Sequence, residues 1–306
     1  MASRSLPFAV LGAGVVIVSF AAILIRFAHA EGVASLAIAS VRLSVAALIL
    51  APFAWLRAGR EMLALQRREL LLCLLSGTLL AIHFWAWITS LEHTSVASST
   101  ALVTTNPLWV ALASALFLRE RPGRSAWIGV VLTLAGSAMI FVADAGRSSL
   151  PGNSTMLGNA LALMGAAAAS GYLLAGRALR ARVSLTAYLW LAYASAAVIL
   201  VVAALSTGIT FGSVPESAWI FMIALGIGPQ LLGHTSFNWA LRRLSATFVA
   251  VAILGEPVGA AILAWFFFGE GFSAPQFAGF ALLLAGIFLA ARDEVRSGKP
   301  SPGPGK

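Results

Sequence analysis

From residue 6 to residue 291 the chain is a succession of apolar stretches roughly twenty residues long, separated by short polar gaps. That pattern leaves few folds open. Inside a bilayer no water is present to satisfy backbone N–H and C=O groups, so only helices and closed barrels cross it. A hydrocarbon core of about 30 Å takes roughly 20 apolar residues per helical crossing. The short alternating segments of a membrane barrel are absent. Of the 306 residues 60% are hydrophobic and only 10% are charged. That leaves too little polar surface to coat a soluble globule. The fold class expected is an all-α integral membrane protein.

Ten segments are read as transmembrane helices: 6–27, 33–55, 70–91, 96–118, 126–143, 157–176, 186–205, 218–241, 247–268 and 276–291. The first, followed by Ala28-His29-Ala30, also has the outline of a secretory signal, but it is longer than a signal core and carries Arg26. The single cysteine, Cys73, lies inside an apolar run and reads as a small buried hydrophobe.

The chain repeats itself. Shifting it by 150 positions lays Ser95–Asp144 on Ser245–Glu294 without a gap, with ten of fifty positions identical, among them Pro107 on Pro257, Glu120 on Glu270, Gly129 on Gly279 and Gly136 on Gly286. These are helix breakers and small packing residues, so a duplicated unit of about 150 residues is the economical reading. It divides the chain into a first five-helix repeat (6–143), a periplasmic linker (144–156), a second five-helix repeat (157–291) and a disordered Pro/Gly-rich cytoplasmic tail (292–306).

Arginine and lysine set the orientation, because cytoplasmic loops carry the excess of both. With a cytoplasmic N-terminus, 17 of the 20 fall inside, only Arg147 falls outside, and Arg26 and Arg42 lie within segments. Five crossings is an odd number, so the second repeat must enter the membrane upside down. The loop charges follow: Arg119, Arg121 and Arg124 answer to Gly269, Gly271 and Ala274, while Glu92 and His93 answer to Arg242 and Arg243. Inverted-topology repeats are a construction of secondary transporters. The net charge of +9 is spread through these gaps rather than along one face, which speaks against nucleic acid as a partner.

Asn106-Pro107 and Glu256-Pro257 in the fourth helix of each unit, the endings Leu118-Arg119-Glu120-Arg121-Pro122 and Gly269-Glu270, the Trp127-x-Gly129 to Gly136 run, and Arg42 in Val41-Arg42-Leu43 resemble the paired EamA modules of the drug/metabolite transporter superfamily. Length, ten crossings and His83-Phe84-Trp85-Ala86-Trp87 are most similar to the YddG-type bacterial aromatic amino-acid exporters. The resemblance implies a bacterial inner-membrane location, both termini cytoplasmic, a central cavity and alternating access. Strict symmetry fails where Asn106 faces Glu256 and Arg42 faces Ala192.

Buried polar groups cost several kcal/mol in a membrane unless paired, which selects the site candidates. Glu256, about ten residues into its segment, is a protonatable site or a partner for a substrate ammonium; the bland alternative is a carboxylate bonded to donors at the Pro257 break. Pro107 and Pro257 interrupt matching helices, the sequence pointer to a midplane site, or simply kink them. Asn106 shares that location. His83 and Trp87 share a helix face with Ser76 and Ser90, and Gln230, His234 and Asn238 form a second polar stripe, facing either a cavity or a neighbouring helix. Trp87 suits stacking on a flat substrate. Ser99, in the hydroxyl-rich start of the fourth helix, and Tyr172, among Ala and Gly, complete the substrate-binding set. Arg42 reads as structural, and Glu120 and Glu270 as turn residues.

No zinc-protease, Walker or dinucleotide signature is present, so no enzyme activity, cofactor or metal is expected. The function expected is export of aromatic or hydrophobic amino acids and related metabolites, with a proton as candidate coupling ion. The alternatives are a drug, quaternary-cation or nucleotide-sugar carrier of the same superfamily, or a non-transporting receptor or scaffold.

Overall fold

The fold is that of a computed structural model, described for residues 5–93, 96–103, 105–106, 109–110, 123–145, 152–179, 182–269 and 273–297. Pro107, Glu120 and Glu270 lie outside the described residues, as do residues 146–151 of the linker and 298–306 of the tail. Among the described residues the chain is helical, with no strand. Helix α1 spans Leu6–Ala30, α2 Ser35–Leu63, α3 Arg67–His93, α4 Val96–Val103, α5 Arg124–Ala145, α6 Gly152–Leu179 and α7 Leu185–Ser206. Next come α8 (Glu216–Leu225), a π-helical segment (Gly226–His234) and α9 (Thr235–Ala240), which run on as one rod. Helices α10 (Ala246–Ile253), α11 (Gly255–Phe268) and α12 (Ala274–Ser297) follow.

Seven of the described helical spans are long and apolar enough to cross a membrane, and Trp127–Met139 and Phe277–Leu289 are shorter apolar helices. The fourth expected segment is described as a helix over Val96–Val103. Polarity is inverted relative to a soluble protein. Leu56 and Phe266 are 86% and 74% exposed, whereas Arg42, Ser76 and Gln230 are fully buried. That distribution is stable only where the surroundings are lipid.

Among the described residues two irregularities interrupt the helical ladder, while Pro52 is carried inside α2 without a break. Pro257 has no N–H to give the Ile253 carbonyl, and its ring crowds that turn, so the helix breaks at Leu254 between α10 and α11. Pro229 does the same inside the eighth segment, where the chain answers by widening into the π turn of Gly226–His234. Apolar length alone reads that segment as one uniform helix. Gly226-Ile227-Gly228-Pro229 is the local signal for the change.

The packing falls into pairs under the 150-residue offset. Helix α3 lies along α6, and its offset mate is α1 lying along the α8–π–α9 rod. Helix α3 also packs on α7, and its mate is the rod against α2. Contacts of α4 with α6 and with α5 are matched by α1 with α10–α11 and by α10–α11 with α12. Two contacts are their own mates: α2 with α7 and α5 with α12.

The α5–α12 crossing shows why small residues recur in it. A Cβ on Gly136 would stand 2.5 Å from the Gly279 carbonyl oxygen, and one on Gly286 would stand 2.6 Å from that of Gly129. The two approaches exchange under the offset, and the backbones touch as in other small-residue membrane crossings. Elsewhere Gly77 abuts Ser195 and the Ala192 carbonyl, while Gly226 abuts Val45 and the Arg42 carbonyl.

The turns repeat the theme with opposite charge. Glu92, in the last turn of α3, accepts a hydrogen bond at 3.1 Å from the Ser35 N–H at the start of α2. Arg242, after α9, donates at 3.1 Å to the Val183 carbonyl in the turn before α7. Arg177 near the end of α6 donates to the Leu241 and Leu244 carbonyls at 2.8 and 3.0 Å.

Substituting Gly136→Val places a branched side chain against backbone that has no room to retreat. Thermal unfolding of the detergent-solubilised protein should show a loss of about 1–3 kcal/mol, with Gly286→Val giving a loss of similar size because it enters the same crossing from the other side.

Candidate functional site

Inside the bundle the helices leave a cavity of about 50 Å³. Its wall is built by Val18 of α1, Arg42 of α2, His83 and Trp87 of α3, Val103 and Asn106 at and after α4, Ala169, Tyr172 and Leu173 of α6, His234 and Phe237 of the rod, and Ile253 and Glu256 on either side of the Leu254 break. Both irregular stretches of backbone contribute to it. Non-helical backbone at membrane depth is tolerated where protein or a polar cavity surrounds it, which is the situation here.

Phe84 is the scaffold of the wall. The Arg42 guanidinium carbon lies 3.9 Å from its ring centroid, and the His83 and His234 rings stand 4.6 and 5.3 Å from it. Arg42 Nε donates at 2.9 Å to Gln230 Oε1 of the π segment. Its two terminal nitrogens are buried and have no hydrogen-bond partner among the described residues. The aromatic face fixes the plane of the guanidinium, and Gln230 fixes its rotation, so the fork end is left directed away from both.

His83 holds its orientation through a 2.9 Å hydrogen bond between Nδ1 and the Gly165 carbonyl. Trp87 lies parallel to the His83 ring at 6.0 Å and 8°, and its buried indole Nε1 has no partner among the described residues. On α6, the Tyr172 hydroxyl accepts from Asn238 Nδ2 at 2.5 Å, and its ring stacks at 6.3 Å on Tyr188. Tyr188 in turn bridges Ser76 Oγ at 2.7 Å and the Tyr172 carbonyl at 3.3 Å. With its amide nitrogen turned to the carbonyls, Asn106 donates to Val103 at 2.7 Å and to Ala166 at 3.0 Å, tying α4 to α6.

Of the residues singled out from the sequence, His83, Trp87, Asn106, Tyr172, His234 and Glu256 come together around this one cavity. Ser99 and Asn238 stand one layer behind. Ser99 Oγ bonds Ser90 Oγ at 2.5 Å, and Asn238 ties Tyr172 to the His234 carbonyl. Pro257 is buried beside the break, and Pro107 lies outside the described residues. Arg42, which reads as structural in the sequence, is in the cavity wall together with Glu256. Phe237 escapes the sequence reading; it stands 150 positions from Trp87, and the repeat is the signal that points to it. Among the described residues no group of three or more His, Cys, Asp or Glu is placed to hold a metal ion.

Helices that are apolar outside and enclose polar side chains within define the class: a multi-pass membrane protein with an internal site. The chain belongs to the EamA-like transporter family, which it matches over residues 7–142 and 156–292. It is a transporter and not an enzyme. It is 26% identical over 217 residues, 70% of each chain, to a probable terminal-alkyne amino-acid exporter of Streptantibioticus cattleyicolor. A segment of 83 residues is 30% identical to an uncharacterized transporter of Archaeoglobus fulgidus, covering 27% of this chain and 30% of that protein. A solved protein crystal structure superposes with a TM-score of 0.77 over 97% of this chain and 100% of that one, at 19% identity, a likeness of fold alone.

Because Asn238 and Tyr172 join the rod to α6 through one short hydrogen bond, Asn238→Leu and Tyr172→Phe should not be additive. A double-mutant cycle read by thermal unfolding in detergent should give a coupling of about 0.5–1.5 kcal/mol.

Proposed function

We propose that the chain exports aromatic and other hydrophobic amino acids, with related small metabolites, from the cytoplasm across a bacterial inner membrane. Ten transmembrane helices, arranged as two five-helix repeats of inverted topology, would carry this out by alternating access. The observation that carries the reading is the cavity itself: charged, polar and aromatic side chains from both halves of the chain converge on one spot inside an apolar bundle. The paired packing under the 150-residue offset, with α2–α7 and α5–α12 as self-mated crossings, supports two halves related by a pseudo-two-fold axis.

The similarity to a probable terminal-alkyne amino-acid exporter supports an amino-acid cargo. In this reading Trp87, Tyr172 and Phe237 receive the side chain of the substrate. His83, Asn106, His234 and Glu256 meet its polar end, with Ser99 and Asn238 bracing the wall from behind. Pro107 and Pro257 mark the matching helix breaks about which the halves rock. A proton is the coupling ion, with Glu256 as its carrier, since it is the carboxylate in the cavity wall among the described residues. A nucleotide-sugar cargo would want several cationic groups for its phosphates, and Arg42 alone lines the cavity among the described residues. Arg42 also opposes a purely cationic cargo.

At about 50 Å³ the cavity is small. Pockets that enclose a small-molecule ligand begin at roughly 300 Å³. Substrate entry therefore needs the helices to separate, as alternating access demands.

Proteoliposomes loaded with labelled phenylalanine, tryptophan, leucine, a quaternary ammonium compound and a nucleotide sugar test this directly. Saturable efflux of the amino acids, accelerated by an inward proton gradient and reduced at least tenfold in Trp87→Ala, is the expected result. Efflux of the other cargoes without the amino acids, or no efflux at all, would overturn the reading.

A further inference from the structure

The cavity wall carries one guanidinium and one carboxyl group, and their arrangement says more about the cargo than its aromatic lining does. Arg42 keeps its charge in any protein environment and presents two donor nitrogens that nothing among the described residues accepts from. The unpartnered Trp87 Nε1 adds a third donor to the same wall. A buried donor left unsatisfied is costly, more so when charged, and three on residues of one small cavity amount to a surplus that an acceptor-rich group would relieve. Glu256 lies in the same wall, and it does not hydrogen-bond to the Arg42 terminal nitrogens. The two groups therefore line one space without closing on each other.

We propose that Arg42 and Glu256 form a two-ended clamp for a zwitterion, with the substrate carboxylate received in the Arg42 fork and its ammonium group by Glu256. This rests on the amino-acid reading of the preceding section and narrows it to α-amino acids that keep both charged groups. The Arg42 fork is prepared for the task. Its plane lies on Phe84, its Nε is held by Gln230, and Nη1 and Nη2 remain free for the parallel pair of hydrogen bonds that guanidinium makes with a carboxylate. Glu256 is likewise held by its backbone. It sits in the first turn of α11, just beyond the Leu254 break, with Ser19 Oγ of α1 near its carbonyl at 3.4 Å. Trp87 then serves twice, its ring against the substrate side chain and its N–H toward the carboxylate.

The clamp makes a prediction that a merely aromatic pocket does not. Phenylalanine, phenethylamine and 3-phenylpropionate share one ring and differ only in which charges they carry. Titrated by calorimetry into the full chain in lipid nanodiscs, phenylalanine should bind about 10- to 100-fold more tightly than either single-charge analogue. Arg42→Gln should weaken phenylalanine and 3-phenylpropionate by that factor and leave phenethylamine within twofold. Glu256→Gln should weaken phenylalanine and phenethylamine and spare 3-phenylpropionate. The ligand series on the unaltered protein decides the matter even if a variant fails to fold. Phenylalanine efflux together with affinities for the three probes within twofold of one another overturns the clamp alone. Absence of phenylalanine binding and efflux overturns the amino-acid reading, and the clamp with it.

Discussion

Every peptide group in this chain has to find its hydrogen-bond partner without help from water, and that constraint orders the whole molecule. It makes the apolar segments helical, pushes apolar side chains such as Leu56 and Phe266 to the outside, and draws Arg42, Ser76, Gln230 and Asn238 to the inside. It also dictates where the ladder is allowed to fail. Of the described prolines inside apolar helices, Pro52 is carried within α2 without a break, whereas Pro229 and Pro257 interrupt the ladder, and residues of each interrupted stretch, His234 in one and Ile253 and Glu256 in the other, line the cavity. Fixed irregular backbone and polar side chains thus share one place. An apolar neighbour at either spot would leave peptide groups stranded at a cost of several kcal/mol each.

Close approach of helices is the second consequence. In lipid the apolar effect does not drive helix against helix, so contact depends on packing and on hydrogen bonds between polar residues. Glycine at Gly136, Gly286, Gly77 and Gly226 brings backbones together, and the short bonds Ser76–Tyr188, Tyr172–Asn238 and Arg42–Gln230 fasten the interior. The two kinds of contact divide the bundle. Where α5 meets α12 the crossing is small and apolar, suited to a stable frame. Around the cavity the links are polar and each depends on one or two atoms, which makes them easier to exchange for contacts with a bound molecule or with water.

Much of this is legible in the residues alone. Apolar length announces the helices, the 150-residue offset pairs Gly129 with Gly279 and Gly136 with Gly286, and four-residue spacing puts Gln230, His234 and Asn238 on one stripe. What a sequence does not carry is distance between segments far apart in the chain. Arg42 and Gln230 are separated by 188 positions, and nothing local to Val41-Arg42-Leu43 announces that its guanidinium lies on Phe84. A lone arginine in an apolar run has two ordinary fates, snorkelling to the interface or pairing inside, and segment position alone does not choose between them. The π turn escapes for a related reason. Its signal, Gly226-Ile227-Gly228-Pro229, is equally the signature of a simple kink.

The asymmetry between the halves bears on why the site is polar at two ends. A perfectly repeated chain would carry the same residue at both members of every offset pair, and a cavity lined by both members would be electrically self-matched. Here Asn106 stands where the offset puts Glu256, and Ala192 stands where it puts Arg42. Each half therefore contributes one ionisable group, Arg42 from the first and Glu256 from the second, to a wall whose aromatic members Trp87 and Phe237 remain offset mates. Coulomb attraction between two such groups when charged is strong at low dielectric, yet a direct ion pair would consume the donors and acceptors that a substrate needs. Gln230 and the Phe84 face counter that collapse by holding the guanidinium from behind. The 150-residue offset pairs the crossings and the aromatic wall residues Trp87 and Phe237, and the wall departs from that pairing at Arg42 on α2 and Glu256 on α11, whose offset mates differ from them in kind.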